Sequence, residues 1–395
     1  MKKRVNLIIA LAIVFFNILL IIYPSDVLSA AREGFSLWWG NVLPALLPFM
    51  IGTNILMGLG FVRFVGTLLE PAMVPLFGVP GCGGYAFVTG VTSGYPVGAK
   101  TVSGLLESGE LTQTEAQRLL SFCNNAGPLF LLGAVGAGMF RSVQAGYFLM
   151  LCHYAAALLT GLLFKYYRPA ERRGVAHTRQ IFSRALSQMH EARQKDGRPF
   201  GAVLGDSVKN AMETIILVGG FIIFFCVIVK MLEVTQLMPA MLRVFGPMAS
   251  VFGIEPSLME GFFIGLIEVT NGSRALAALE KSKAQMLFVG AIVSFGGFSI
   301  FAQTVSLIAH TDLSRAVYLL SKVIHSGLTV LLGFFLFPFF NWKPLETGAV
   351  PANMTTDAAM LEKLAFSSGM FGMGLLAMFV FAAFMLFGMA CLRRL

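Results

Sequence analysis

Eight apolar stretches, each long enough to cross a bilayer as a helix, constrain this chain more than any other feature. A membrane-spanning helix needs roughly 20 apolar residues to cross the ~30 Å hydrocarbon core. The stretches cover residues 5–23, 37–60, 116–139, 143–166, 208–232, 284–309, 315–339 and 366–391. Only 12% of the residues are charged, about half the share in soluble domains. The sequence therefore predicts an all-α polytopic membrane protein with about eight transmembrane helices.

Basic residues indicate the orientation of the chain. The 29 Lys and Arg outnumber the 20 Asp and Glu, and basic residues collect at both termini and in a polar loop at 167–207. Short basic loops remain in the cytoplasm. We therefore expect a multi-pass protein of the cytoplasmic membrane with both termini in the cytoplasm. One part of the loop has an apolar helical face and is predicted to be an interfacial helix or a solvated linker.

Two further apolar segments, 82–107 and 257–281, have polar and helix-breaking residues at their centres. These centres are Thr92–Pro96 (tip 1) and Glu268–Ser273 (tip 2). Each flank is about ten residues, or ~15 Å of helix, which is half the hydrocarbon thickness. Two half-helices that meet at the membrane midplane form a re-entrant hairpin. We name the two segments hairpin 1 and hairpin 2.

An internal repeat supports the two hairpins. Phe262 follows Phe87 by 175 residues, Gly265 follows Gly90 by the same interval, and the two tips then coincide. Three full spans separate equivalent points, so the second copy is inverted in the membrane. Inverted repeats with discontinuous helices are typical of secondary transporters, whose site lies at the repeat interface.

Each hairpin is followed by a span that is interrupted near its middle. The interruptions are Phe122–Pro128 (break 1) and Ser294–Ser299 (break 2). Capping-box spacing predicts two helix starts, at Thr112 with Glu115 and at Ser257 with Glu260.

The expected organisation therefore has five parts. They are a first transmembrane helix with an outer loop at 1–36, a first repeat at 37–166 that contains hairpin 82–107, the basic cytoplasmic loop at 167–207, an inverted second repeat at 208–340 that contains hairpin 257–281, and an outer loop with the last transmembrane helix at 341–395.

Polar side chains at tip 1 and break 1 suggest an ion site. Pro128 has no N–H to donate into the helical ladder, so carbonyl groups one turn earlier are freed beside two amides. Such oxygens suit a coupling cation, Na⁺ or a proton; polar contacts between helices are the alternative interpretation. The predicted ion-binding residues are Thr92, Asn124, Asn125, Ser294 and Ser299.

Ionisable groups at membrane depth suggest a solute site. Lys100 and Arg274 follow the two tips, and two cations near the midplane favour an anionic solute group such as a carboxylate. Alternatively, Arg274 pairs with Glu268 and Lys100 extends to the interface. The predicted substrate-binding residues are Ser93, Tyr95, Lys100, Glu268, Thr270, Asn271, Arg274 and Gln303.

Motifs of soluble catalysis are missing from the sequence. The five cysteines show no CxxC spacing, the five histidines form no HExxH pair, and there is no phosphate-binding glycine loop. We expect no enzymatic activity, no metal centre and no cofactor other than a coupling cation. The expected partners are the lipid bilayer and a small solute, not nucleic acid, and self-association stays open.

Two motifs carry a family resemblance. Thr92–Lys100 (TSGYPVGAK) and Phe122–Phe130 (FCNNAGPLF) resemble the YlbJ-like sporulation integral membrane proteins, which carry the nucleoside-recognition or Gate domain. More distantly, the layout is similar to the concentrative nucleoside transporters. The resemblance implies a role in spore formation, notably cortex formation.

Two functions therefore stand side by side. The first is a secondary carrier of a small polar or anionic solute, which works by an elevator or rocking movement of the hairpins. The second is a non-transporting membrane factor for spore envelope assembly.

The predicted orientation can be tested by cysteine labelling. In a cysteine-free background, a cysteine at Thr347 should react with an impermeant maleimide on intact cells. A cysteine at Ser187 should not react, because we expect the 167–207 loop in the cytoplasm. The reverse pattern would contradict the orientation.

Overall fold

The computed structural model describes residues 2–168, 180–251 and 253–340, and it is all-α, as the sequence predicts. Sixteen α-helices lie in these ranges: α1 (Lys2–Ile22), α2 (Pro24–Leu37), α3 (Leu43–Gly58), α4 (Phe61–Phe77), α5 (Cys82–Ser93), α6 (Val97–Glu107), α7 (Gln113–Cys123), α8 (Val143–Phe164), α9 (Ile181–Asp196), α10 (Phe200–Val234), α11 (Leu237–Val251), α12 (Pro256–Ile267), α13 (Val269–Ala277), α14 (Lys283–Phe295), α15 (Gly297–Leu307) and α16 (Arg315–Leu336). Two π-helices, Trp38–Val42 and Leu129–Met139, and a short 3₁₀ helix, Phe337–Phe339, complete the described chain. The predicted outer loop at 341–365 and the eighth span at 366–391 lie outside the described residues.

Four helical segments in the described ranges are long and apolar enough to cross a membrane. They are α8, α10, α14 together with α15, and α16 with the 3₁₀ turn that follows it. Two bent pairs raise the count to six: α1 with α2, bent by 100°, and α3 with α4, bent by 84°. The predicted spans at 143–166, 208–232, 284–309 and 315–339 are thus confirmed as helices of spanning length.

Residues 24–36, predicted as part of an outer loop, instead form most of helix α2. The helix begins with Pro24 at its first position, where a missing N–H costs nothing. It continues through the first π-helix into α3, because the backbone stays right-handed helical at Leu37 and Leu43. The charged residues Asp26 and Glu33 gave this segment the appearance of a loop.

The combined α2–α3 rod packs antiparallel along α10, and we call these helices the frame. A Cβ on Gly34 would lie 3.2 Å from Cys226 Sγ, so the two backbones approach closely. Further along, Trp38 Nε1 donates to the Ile215 carbonyl (3.0 Å). These two contacts fit helices whose axes lie side by side and whose chains run in opposite directions.

Both hairpins are pairs of short helices that fold back on each other. Hairpin 1 comprises α5 and α6, and hairpin 2 comprises α12 and α13. Glycines let the arms touch: a Cβ on Gly90 would lie 3.2 Å from Gly98 Cα, and one on Gly272 would lie 2.1 Å from Gly265 Cα. The pair Gly90 and Gly265, which matched in the sequence repeat, therefore has the same role in both copies.

The two predicted breaks are present. Helix α7 ends at Cys123, and regular helix resumes only at the π-helix Leu129–Met139. Helix α14 ends at Phe295 and α15 begins at Gly297. The φ values of Gly296 (87°) and Gly297 (71°) lie in the left-handed region that favours glycine.

Each tip lies against its own break. A Cβ on Gly94 would lie 2.9 Å from the Gly127 nitrogen, and one on Gly297 would lie 3.3 Å from the Val269 nitrogen. The sequence predicted that tip and break converge, and the structure places them in contact in both repeats.

One predicted helix start is correct and the other is wrong. Thr112 and Glu115 form the expected capping box at the start of α7. Helix α12 instead begins at Pro256 without a side-chain cap, because proline at the first position presets the helical φ. Ser257 and Glu260 therefore lie inside the helix.

The basic loop contains a helix and not a linker. Helix α9 packs against α4, where Thr67 Oγ1 donates to Gln188 Oε1 (2.6 Å) and Arg184 pairs with Glu70 (2.6 Å). Residues 169–179 of the loop lie outside the described ranges.

A pair of glycine variants on α6 tests the contact between hairpin 1 and break 1. A Cβ on Gly98 would lie 2.2 Å from the Cys123 carbonyl oxygen, whereas one on Gly104 meets no atom of the described residues within 4 Å. We expect Gly98→Ala to lower the free energy of unfolding by ~1–3 kcal/mol and Gly104→Ala to leave it equal or higher, since alanine favours helix. Melting temperatures of the two purified variants measure this, and equal values would contradict the contact.

Candidate functional site

The centre of the site is the freed carbonyl group at break 1. In an unbroken helix the Asn124 carbonyl would accept from the residue four positions later, which is Pro128 and has no N–H. The ammonium of Lys322, on α16, donates to this carbonyl instead. The side chain of Lys322 is 2% exposed, so the contact is sealed from solvent.

A histidine satisfies the next unpaired group of break 1. The Ala126 N–H donates to His153 Nε2 (3.1 Å), and the Ala126 carbonyl accepts from Tyr154 Oη (2.9 Å). Because Nε2 accepts, Nδ1 of His153 carries the proton and donates to Ser294 Oγ (2.8 Å). Break 1 is thereby joined to the start of break 2.

The side chain of Asn124 joins break 1 to α15 and α16. Its Nδ2 donates to Thr304 Oγ1 (2.9 Å) and to Tyr318 Oη (2.7 Å). The neighbouring Asn125 donates back to the Phe122 carbonyl (2.7 Å).

Several buried polar atoms of this region have no hydrogen-bond partner in the described chain. They lie on break 1 and on the neighbouring helix α15, and each of these residues is at most 1% exposed. The atoms are Asn124 Oδ1, Asn125 Oδ1, Ser299 Oγ, Gln303 Nε2 and Gln303 Oε1. A buried polar atom without a partner costs about 1–3 kcal/mol, so this group of atoms is a candidate binding site.

The polar residues of tip 1 have protein partners. Ser93 Oγ lies 3.1 Å from Thr53 Oγ1 on α3, and Thr92 Oγ1 donates to the Val88 carbonyl in its own helix (2.9 Å). Tyr95 Oη donates to the Val293 carbonyl (2.8 Å), which ties tip 1 to the helix that precedes break 2. Ser93 and Tyr95 thus lie at the contact of hairpin 1 with other elements, while Thr92 does not reach break 1.

Tip 2 is organised by a buried carboxylate. Glu268 caps α13 by accepting from the Thr270 N–H (3.1 Å) and the Asn271 N–H (2.7 Å). A carboxylate at a helix N-terminus is favoured by the helix dipole. The Asn271 amide in turn donates to Cys226 Sγ on α10 (3.3 Å).

The two predicted cations each contact the frame. Lys100 Nζ donates to Thr214 Oγ1 (2.6 Å) on α10, and Arg274 forms an ion pair with Glu33 on α2. The alternative that Arg274 pairs with Glu268 is wrong, because Glu268 caps its own helix and Glu33 supplies the carboxylate. Both cations are therefore partnered within the protein.

Comparison with known proteins assigns the chain to a family. No family model matches the chain. The sporulation integral membrane protein YlbJ of Bacillus subtilis (strain 168) is 36% identical over 353 residues, which cover 88% of this chain and 85% of that protein. The chain belongs to the YlbJ family. Among solved structures, a doubly substituted CNTnw in an outward-facing state is similar over 86% of this chain and 85% of that chain, with 12% identity and a TM-score of 0.40.

This YlbJ-family chain has site residues that sequence reasoning missed. Helix α16 presents a buried polar stripe to break 1 and to α14, and its members recur at helical spacing. They are Tyr318, Ser321, Lys322, His325 and Thr329. The signal was a lysine and a histidine inside the apolar stretch 315–339, which is uncommon at membrane depth. His153 is likewise a buried ionisable residue inside an apolar stretch, 143–166.

Two buried glutamines allow a matched test of the unpartnered atoms. Gln303→Leu removes an amide without partners and should raise the free energy of unfolding by about 1 kcal/mol or more. Gln285→Leu removes an amide whose nitrogen donates to two carbonyls at 2.6 and 3.0 Å, while only its oxygen lacks a partner in the described chain. This change should lower the free energy of unfolding by ~1–3 kcal/mol. Thermal unfolding of the purified variants measures both, and a loss of stability in Gln303→Leu would contradict this assignment.

Proposed function

We propose that this YlbJ-family protein is a secondary carrier of a small polar solute in the cytoplasmic membrane, with both termini in the cytoplasm, and that it acts during spore formation. One observation carries the proposal: unpartnered buried amide and hydroxyl groups concentrate at break 1 and on α15. The role in sporulation comes from the name of the Bacillus relative.

The energetic cost of these groups supports a carrier. Each unpartnered atom weakens the fold, and a scaffold protein gains nothing from it. A solute with hydroxyl, amide or ring-nitrogen groups would supply the missing partners when it binds. Binding sites formed by broken helices near the midplane are also the arrangement that secondary transporters use.

The contacts also favour movement of the hairpins against the frame. Each hairpin contacts its break through glycine-lined backbone, so hairpin and break form one tightly packed unit. Apolar residues of both hairpins pack against the frame, and polar side chains add contacts through Lys100 and Thr214 on one side and Arg274 and Glu33 on the other. The polar contacts can break and re-form with water or with other polar groups, which suits an elevator or rocking movement.

An uncharged polar solute fits this site better than an anion. Lys100, Arg274 and Lys322 each donate to a group of the protein, and the atoms without partners are amides and hydroxyls. A carboxylate solute would have to displace Glu33 from Arg274. If Arg274 did bind a carboxylate solute, Arg274→Gln should weaken the affinity for that solute roughly tenfold to a hundredfold, because a charge-assisted contact is lost.

The proposal is tested first by binding. Purified protein is heated with a panel of nucleosides, neutral polar metabolites and carboxylates. We expect at least one uncharged member to raise the melting temperature of the wild type and of the control variant Gly104→Ala, while Gln303→Leu does not respond. Gln303 is chosen because its amide has two free polar atoms to offer.

Transport is then measured as counterflow of the stabilising solute in proteoliposomes. Accumulation of labelled solute by the wild type, and none by Gln303→Leu, is the expected result. A solute that stabilises Gln303→Leu as much as the wild type would contradict the site. Binding without counterflow would favour the alternative, a non-transporting factor of spore envelope assembly.

A further inference from the structure

Lys322 is a buried cation without a carboxylate partner in the described chain. Its ammonium donates to the Asn124 carbonyl and lies 5.7 Å from the ring centroid of Tyr318. A charged group taken out of water is costly unless polar groups replace its hydration. The cost of burying the Lys322 ammonium therefore needs a specific explanation.

The chemistry around this ammonium is that of a bound cation. The Asn124 carbonyl is free because Pro128 cannot donate to it. Unwound carbonyl groups of this kind hold coupling cations in transporters with broken helices. The face of Tyr318 adds the negative side of an aromatic quadrupole.

The surroundings provide no competing counter-charge within the described ranges. Helix α16 packs against α7, α8 and α14. The titratable groups that interact with Lys322 are Tyr318 and His325 on its own helix, Cys123 on α7 and His153 on α8. From α14, Ser294 joins the network through His153. The carbonyl is thus the principal partner of the ammonium.

We propose that the Lys322 ammonium is the resident cation of break 1. The carbonyl site that the sequence assigns to a coupling Na⁺ is filled by the protein itself, and break 1 binds no Na⁺. A tethered ammonium holds the broken helix in shape at every stage of a transport cycle, whereas a free ion would have to bind and leave.

The resident cation matters for transport only if the protein is the carrier proposed above. The experiment uses no solute, so the two proposals can fail separately. Full-length protein is purified as wild type, Lys322→Ala, Lys322→Met and Lys322→Arg. Melting temperatures are recorded in NaCl, in choline chloride and in n-propylammonium chloride at equal ionic strength.

The wild type and Lys322→Arg should melt at the same temperature in NaCl and in choline chloride, because both carry their own cation. In choline chloride, the melting temperature of Lys322→Ala should lie at least about 5 °C below that of the wild type. Na⁺ or n-propylammonium, either of which fits the space left by the side chain, should restore at least half of that loss. Lys322→Met, whose side chain fills this space, should lose stability in all three salts.

Three results would overturn the proposal. The first is stabilisation of the wild type by Na⁺ over choline, which would show a separate ion site. The second is a Lys322→Met variant as stable as the wild type, which would show that the charge is not needed. The third is a Lys322→Ala variant that neither cation restores. If Lys322→Ala does not fold, the wild-type and Lys322→Met measurements still decide.

Discussion

Lipid cannot satisfy backbone hydrogen bonds, and the centre of this structure depends on how break 1 meets that constraint. The break frees a carbonyl at Asn124 and both backbone groups of Ala126. Side chains from two neighbouring helices replace the lost ladder: Lys322 on the first carbonyl, His153 on the N–H and Tyr154 on the second carbonyl. The interruption is thus built into the fold, and its partners fix α8 and α16 around it.

Glycines allow the helices around break 1 and in the two hairpins to pack closely enough to exclude solvent. Gly90 and Gly98 let the arms of hairpin 1 reach the Cys123 carbonyl, while Gly265 and Gly272 bring the arms of hairpin 2 together. The hairpins therefore contact their breaks by backbone, and contact the frame through apolar residues together with Lys100 and Arg274.

The sequence predicted those features that a local pattern encodes. Hydropathy gave the all-α membrane class, Pro128 gave the free carbonyl, and the repeat gave two tips that meet two breaks. Contacts between distant segments had no local signal, so the partners of Lys322 and His153 and the ion pair of Arg274 with Glu33 were missed. Residues 24–36 were predicted as a loop because charges conceal a helix whose small residues face α10. Lys322 and His325 carried a signal, since ionisable residues within an apolar stretch are rarely accidental.

The central claim is that the polar centre is reached from water during a working cycle. Ser299, which is 1% exposed, is replaced by cysteine in a cysteine-free background, with a cysteine at the apolar, fully buried Ala156 as control. Both are treated with a hydrophilic thiol reagent from each face of oriented vesicles. The account predicts reaction of Ser299→Cys from both faces, slowed by bound solute, and none at Ala156→Cys. Failure of Ser299→Cys to react from either face would contradict it.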